Sequence, residues 1–247
     1  MKYTDITTEL VENNKSIPIT MSFCSLKNID CIENEFIDTY LNMDEKDYYN
    51  KLKYDARKTS YLLGRVSSKR AIASYMDCND YKSISIEKGI FCNPIVKCNN
   101  HNITVTITHT KHIGMAAATK EFYPIGIDIE GIDKHYTKAI KTQLTDKEIQ
   151  LVEQHSLGAE VGFVTLWTIK EALSKVLRIG FLTSLKTYEV ERIEGDDYCI
   201  NGSYKNFKMF KSTTYKVDKY LVTICYPSKC DLKLNYETVY NAIINNL

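Results

Sequence analysis

The chain has 247 residues, 44% of them hydrophobic, enough to bury a substantial core in one large domain or two small ones. Its formal net charge of +1 gives no global basic field that points to nucleic acid or an anionic membrane, so any anion site must be local. No segment approaches the ~20 apolar residues of a membrane span, the N-terminus carries no apolar signal core, and the eight cysteines form no C-x-x-C pair or zinc-spaced cluster, so free thiols in a cytoplasmic protein are the expectation.

From about Arg57 to Met76, Leu62, Leu63, Val66 and Ala73 fall within one helical arc, which predicts a long amphipathic helix. Lys58, Arg65 and Lys69 run along one edge of it, either facing an anion or snorkelling beside the core. Ser83 to Glu87 and Ile103 to Thr108 predict strands, the second because Ile and Val alternate with Thr, and His109 stands where that strand should end. Gly114 to Thr119 and Ile125 to Glu130 read as two further short strands. The plausible seam between them, Lys120-Glu121-Phe122-Tyr123-Pro124, divides the chain into residues 1–120 and 121–247.

Thr145 and Glu148 have the spacing of a capping box, and a stronger helix is expected from about Val161 to Ile179, stopping at Gly180. Thr187 to Ile193 and Tyr198 to Ile200 flank Glu194-Gly195-Asp196-Asp197 as a hairpin, and a last strand runs from Tyr220 to Tyr226. Each half thus orders a long amphipathic helix, extended segments with turns, and a closing strand. An internal structural duplication accounts for that order.

Two motifs 41 residues apart carry the chemistry, Gly126-Ile127-Asp128-Ile129-Glu130 and Trp167-Thr168-Ile169-Lys170-Glu171-Ala172-Leu173-Ser174-Lys175. In the first, isoleucines alternate with Gly, Asp and Glu, so a strand buries one face and presents Asp128 and Glu130 together on the other. Two adjacent carboxylates repel each other, and oxygen-only ligands suit Mg²⁺ or Mn²⁺; the same pattern also describes an edge strand with a solvated acidic face. Gly126 leaves room for a close neighbour or ligand. On the later helix, Leu166, Ile169, Leu173, Val176 and Leu177 make the apolar arc, while Glu171 and Lys175 lie off it one turn apart. They read either as a surface pair worth about 0.3 kcal/mol or as a third carboxylate with a cation for a phosphate oxygen. Trp167, the only tryptophan, is large enough to anchor the helix beside them. His109 has ordinary structural explanations, yet Thr108 and His109 put a hydroxyl and an imidazole at a strand end, where ligands often sit; no third soft ligand supports zinc at His109 and His112.

The sequence resembles the 4′-phosphopantetheinyl transferases, in particular the larger monomeric type that activates nonribosomal peptide and polyketide synthases. The double signature G-x-D-x-E and W-x-x-K-E-A-x-x-K is matched by Gly126, Asp128 and Glu130, then Trp167, Lys170, Glu171, Ala172 and Lys175. Upstream, Thr108-His109-Thr110 is similar to the family's (S/T)-H-(S/T) segment, Leu63-Gly64-Arg65 to its G-R element, and Phe91-Cys92-Asn93-Pro94 stands where a G-K-P turn is usual. Asn93 replaces that turn's lysine, and the basic residues ahead of Gly64 do not align one to one, which leaves Lys46, Lys53, Arg57 and Lys58 as candidates for the 3′-phosphate.

The resemblance implies an α+β (two-layer α/β) fold of two similar subdomains related by a pseudo-twofold, with the active site in the cleft between them. Residues 1–120 would serve the nucleotide side of coenzyme A and residues 121–247 would carry the metal motifs. It implies Mg²⁺-dependent transfer of phosphopantetheine from coenzyme A to a carrier-protein serine, releasing adenosine 3′,5′-bisphosphate. Asp128, Glu130 and Glu171 would hold Mg²⁺ (or Mn²⁺). Arg57, Lys58, Asn93, Pro94, Thr108, His109, Asp128 and Lys175 would contact the coenzyme, with Glu171 and Lys175 catalytic. A strip of Ile132, Tyr136, Ile140 and Leu144 at helical spacing is expected either to meet a carrier helix or to belong to the core. A monomer with apo acyl or peptidyl carrier domains as partners, and neither nucleic acid nor membrane, completes the expectation. A non-catalytic coenzyme A or nucleotide-binding module and a Mg²⁺-dependent phosphohydrolase are the competing classes.

Overall fold

The structure is a computed structural model that describes residues 1–27, 29, 34–97 and 102–247. Cys31 and Cys98 lie outside them; the described cysteines, Cys24, Cys78, Cys92, Cys199, Cys225 and Cys230, are free thiols. Among the described residues no helix is long and apolar enough to cross a membrane. The fold is mixed α+β and divides into two compact units. The first comprises Met1–Gly89, Pro94–Phe122 and Leu232–Leu247, and the second Ile90–Asn93 and Tyr123–Asp231.

In the first unit, β1 (Lys2–Glu12) and β2 (Lys15–Ser25) form a long antiparallel hairpin. Its two turn residues, Asn13 and Asn14, both take positive φ, 48° and 63°, as a two-residue hairpin of matching twist requires. Helices α1 (Asn34–Tyr40), α2 (Met43–Lys51) and α3 (Asp55–Met76) follow, then the small hairpin β3 (Ser85–Lys88) and β4 (Pro94–Lys97), then β5 (Ile103–His109) and β6 (Ile113–Lys120). In a five-stranded sheet β1, β2, β6 and β5 lie side by side in that order, each pair antiparallel, with the two-residue strand Asp231–Leu232 outside β1, and α3 packs on the sheet. Small residues permit the close approach: a Cβ on Gly114 would stand 2.8 Å from the Leu63 carbonyl oxygen.

The second unit opens with β7 (Gly126–Gly131) and continues through α4 (Thr137–Thr142), α5 (Asp146–Gln154) and α6 (Ala159–Val176) to β8 (Val190–Gly195), β9 (Cys199–Tyr204), β10 (Phe210–Val217) and β11 (Tyr220–Pro227). Its antiparallel sheet is ordered β7-β11-β10-β9-β8, with α6 lying across β7 and β11. The chain then returns to the first unit, where α7 (Tyr236–Asn245) packs on β1 and the Asn246 side chain donates to Thr4 Oγ1 at 3.0 Å.

The duplicated order seen in the sequence is a duplicated topology. In each unit one strand (β2 or β7) leads into two short helices and a long one. That strand pairs with the last of the later strands (β6 or β11), which pairs with the strand before it (β5 or β10). A detail repeats with it. The second short helix opens with a capping box, Asn42 with Glu45 on α2 and Thr145 with Glu148 on α5. The capping glutamate then takes a buried lysine from the long helix, Lys69 to Glu45 at 2.5 Å and Lys170 to Glu148 at 2.6 Å. Lys69 therefore does not belong to a solvent-facing cationic edge, because its charge is spent inside the first unit.

The helical strip after β7 also resolves. Helix α4 ends at Thr142, Ile140 and Leu144 are buried in the core of the second unit, and Tyr136 is exposed. The residues are thus not one surface for a partner helix. Ile140→Glu is expected to lower stability by about 3 kcal/mol or more, as an uncompensated buried charge does, read as a lower Tm in thermal denaturation.

Candidate active site

Strand β7 alternates as its sequence dictates: Ile127 and Ile129 are fully buried, with Asp128 and Glu130 on the opposite side. That opposite side is not a solvated acidic face, since Asp128 is only 2% exposed. What covers it is α6. A Cβ on Gly126 would stand 2.0 Å from the Ala172 carbonyl oxygen and 2.9 Å from Val176 Cγ2, so the close neighbour for which Gly126 leaves room is the helix backbone. This approach lays Glu171 and Lys175 against the strand. Lys175 Nζ donates to Asp128 Oδ1 at 2.7 Å and to the Ile127 carbonyl at 3.0 Å, while Glu171 Oε2 lies 3.9 Å away. Its principal partner is therefore Asp128 rather than the glutamate one turn earlier. The Trp167 indole donates to the Glu130 carboxylate, which fixes the outer end of the acidic row.

Three carboxyls and one ammonium share this half-buried space, and two of the carboxyls, Glu130 and Glu171, hold their protons more tightly for it. Burial first, then the Asp128 charge, pushes Glu130 up to about 7 against the opposing effect of the Trp167 hydrogen bond and of Lys175. Glu171 is raised by the same causes, burial foremost, with Asp128 and Glu130 adding to it and Lys175 opposing. Such a set favours an added cation, and its donor type fits a hard divalent ion such as Mg²⁺. Among the described residues, however, no three acidic, imidazole or thiol groups already stand as a metal centre, and the Lys175 ammonium supplies the positive charge between Asp128 and Glu171.

Beside Glu130 and Trp167 opens a cavity of about 780 Å³, walled by Tyr136, Ile140, Val164 and Leu185 with Gln143 among them. Its size and mixed lining are those of a small-molecule site.

In the first unit, Thr108 is buried on β5, and His109, the last residue of that strand, is exposed. His109 Nε2 lies 2.6 Å from Ser60 Oγ on α3, a residue the sequence reading passed over because no motif marks it. Arg57 and Lys58 occupy the opening of the same helix; Arg57 is exposed and Lys58 Nζ sits 5.8 Å above the Tyr49 ring. Arg65 lies over the Tyr61 ring, with Nε 3.4 Å from Glu45, and so is tied to the same carboxylate as Lys69. In the second unit, Cys92 takes a φ of 65° just before Asn93, the left-handed conformation that the glycine of a G-K-P turn adopts without strain. Pro94 is the first residue of β4.

Residues 124–225 match the family model ACPS, the 4′-phosphopantetheinyl transferase superfamily. The matched segment contains β7 and α6 and thus Asp128, Glu130, Glu171 and Lys175 together. Over 102 residues the chain is 24% identical to a holo-[acyl-carrier-protein] synthase of Staphylococcus saprophyticus subsp. saprophyticus, a match that covers 39% of this chain and 87% of the relative. Among solved structures it is similar to a crystal structure of a holo-(acyl-carrier-protein) synthase from Bacillus anthracis strain Ames in complex with CoA (3′,5′-ADP). That likeness has a TM-score of 0.38 and 20% identity, and covers 45% of this chain and 96% of the other.

Proposed function

We propose that the protein transfers 4′-phosphopantetheine from coenzyme A to a serine of an apo carrier protein, as a monomeric enzyme of the type that serves nonribosomal peptide and polyketide synthases. The observation that carries this reading is the set of Asp128, Glu130, Glu171 and Lys175, gathered by one strand and one helix inside the segment that matches the transferase superfamily.

In the reaction the serine oxygen forms a bond to phosphorus, the pyrophosphate bridge breaks, and adenosine 3′,5′-bisphosphate leaves with the bridging electrons. Mg²⁺ held by Asp128, Glu130 and Glu171 would neutralise pyrophosphate charge and stabilise the leaving group. The Glu171 carboxylate accepts the serine proton. Lys175, already held by Asp128 and the Ile127 carbonyl, donates to a phosphate oxygen. The cavity beside Glu130 and Trp167 takes the pantetheine arm, whose amides find Gln143. Arg57, Lys58, Asn93, Pro94, Thr108 and His109 bind the nucleotide part of the coenzyme, with Ser60 holding the His109 ring.

The reading is tested by incubating the protein with coenzyme A, Mg²⁺ and an apo carrier domain and weighing the carrier. A gain of about 340 Da is expected from one phosphopantetheine arm on serine. An unchanged carrier with coenzyme bound would favour a binding module, and release of phosphate or pantetheine phosphate without a carrier would favour a hydrolase. Lys175→Ala is expected to weaken coenzyme binding and slow turnover. Because Lys175 opposes the upward shift of both Glu130 and Glu171, its loss raises both further, so in the metal-free protein the two carboxyls should titrate at higher pH, followed by carbon-13 NMR. Unmoved titrations with normal turnover would return Lys175 to a structural pair.

A further inference from the structure

We propose that the buried Glu148–Lys170 pair is a positioning device for the acidic row: it fixes the rotation of α6 about its axis and thereby sets where Glu171 and Lys175 meet β7. Only its kinetic readout rests on the transfer reading above.

Lys170 and Glu148 are both fully buried, and the carboxylate is bonded in three directions. Glu148 Oε2 accepts from Lys170 Nζ at 2.6 Å and from the Thr145 backbone N–H at 2.8 Å, while Oε1 accepts from the Val190 N–H at 2.8 Å. One side chain therefore joins the start of α5, the middle of α6 and the start of β8. Lys170 Nζ also reaches the Gln143 carbonyl at 3.4 Å. Around it, neighbouring positions of α6 are held by other elements. Thr168 Oγ1 lies 2.8 Å from Thr223 Oγ1 on β11, the Ile169 carbonyl accepts from the Tyr204 hydroxyl of β9 at 2.9 Å, and the Ala172 carbonyl faces Gly126 of β7.

Apolar packing alone allows a helix several nearly equivalent rotations, and a 20° turn moves a side-chain tip by about 2 Å. Phosphoryl chemistry tolerates much less. A buried ammonium has one place where its charge is met, so Lys170 removes that freedom one residue before Glu171. A buried ion pair is a poor way to gain stability compared with apolar packing of the same volume, which makes orientation the better account of its presence. The first unit supplies an internal control. Glu45 and Lys69 form the same pair between α2 and α3, and the residue after Lys69 is Arg70, which bonds Asp5 and Tyr40 rather than any acidic row.

The test uses the full chain with Glu148→Gln, Lys170→Met, both together, and the control pair Glu45→Gln with Lys69→Met. Each single change at the second-unit pair is expected to lower Tm by about 10 °C, and the double variant to recover most of that, because no unpaired charge remains. Turnover, measured well below each Tm, should stay at least about tenfold low in kcat in the double variant, with KM for coenzyme A within about threefold. The control pair should lower Tm with kcat within about twofold of wild type. Trp167, the only tryptophan, gives a readout that needs no activity: its indole N–H resonance should move in the Glu148/Lys170 variants and not in the control. The proposal is overturned if kcat returns with Tm in the double variant, if the control pair depresses kcat equally, or if the tryptophan resonance stays in place. Should the wild type transfer nothing to a carrier, the transfer reading fails and the tryptophan resonance alone decides the positioning role.

Discussion

Glu171→Gln is expected to abolish transfer, with kcat down by about a thousandfold or more, while coenzyme A binding stays within about tenfold. The amide keeps the volume and hydrogen-bonding reach of the carboxylate but cannot accept the serine proton. It also removes one of three negative charges from a space where burial already disfavours them, so folding should be unharmed. Turnover of an apo carrier, followed by mass, against coenzyme affinity from calorimetry separates the two effects. Near-normal kcat would remove Glu171 from the role of base and leave it a charge in the row.

A large effect on both stability and turnover is expected from Gly126→Ala. The added carbon would stand 2.0 Å from the Ala172 carbonyl oxygen, a backbone atom in the middle of a helix held on several sides, so no flexible tip is free to give way. Either α6 lifts from β7 or the strand shifts, at about 3 kcal/mol. For a chain of this length that corresponds to about 10 °C in Tm. The same displacement would separate Lys175 from Asp128, so the variant should lose turnover even where it is fully folded. A Tm within about 2 °C of wild type would show that the contact yields cheaply.

Strand β7 and helix α6 were legible because both obey a simple period and sit beside chemistry that needs them: isoleucines every second residue, then an apolar arc, although the helix stops at Val176, ahead of the Ile179 and Gly180 expected to end it. The acidic row was legible for the same reason. Its burial was not, since the cover comes from Lys175 and Ala172, more than 40 residues away in sequence. The buried lysines show the limit more sharply. Lys69 reads as a surface cation because its partner Glu45 is distant, and Lys170 reads as a signature letter until Glu148, 22 residues earlier, is seen beside it. The hairpin of β1 and β2 escaped because Pro18 argues against a strand, yet it stands opposite Glu9 within one. Strand β10 escaped because Ser212, Thr213 and Thr214 look like loop residues. Burial is tolerated there by hydroxyl pairs, Thr214 with Thr223 at 2.8 Å and Thr213 with Tyr226 at 3.0 Å.

The first unit is discontinuous, and this bears on the order in which the protein forms. On a ribosome, the residues of β7 to β11 are all made before α7, which packs on β1 and brings Asn246 to Thr4, a separation of 242 residues. The second unit can therefore close on itself while the long hairpin of the first still waits for its last helix. Since closing so long a loop is slow, the first-made strands are the last to reach their final packing. Cutting within α7 should accordingly loosen the β1 side of the first unit and leave the acidic row, with its tryptophan, folded.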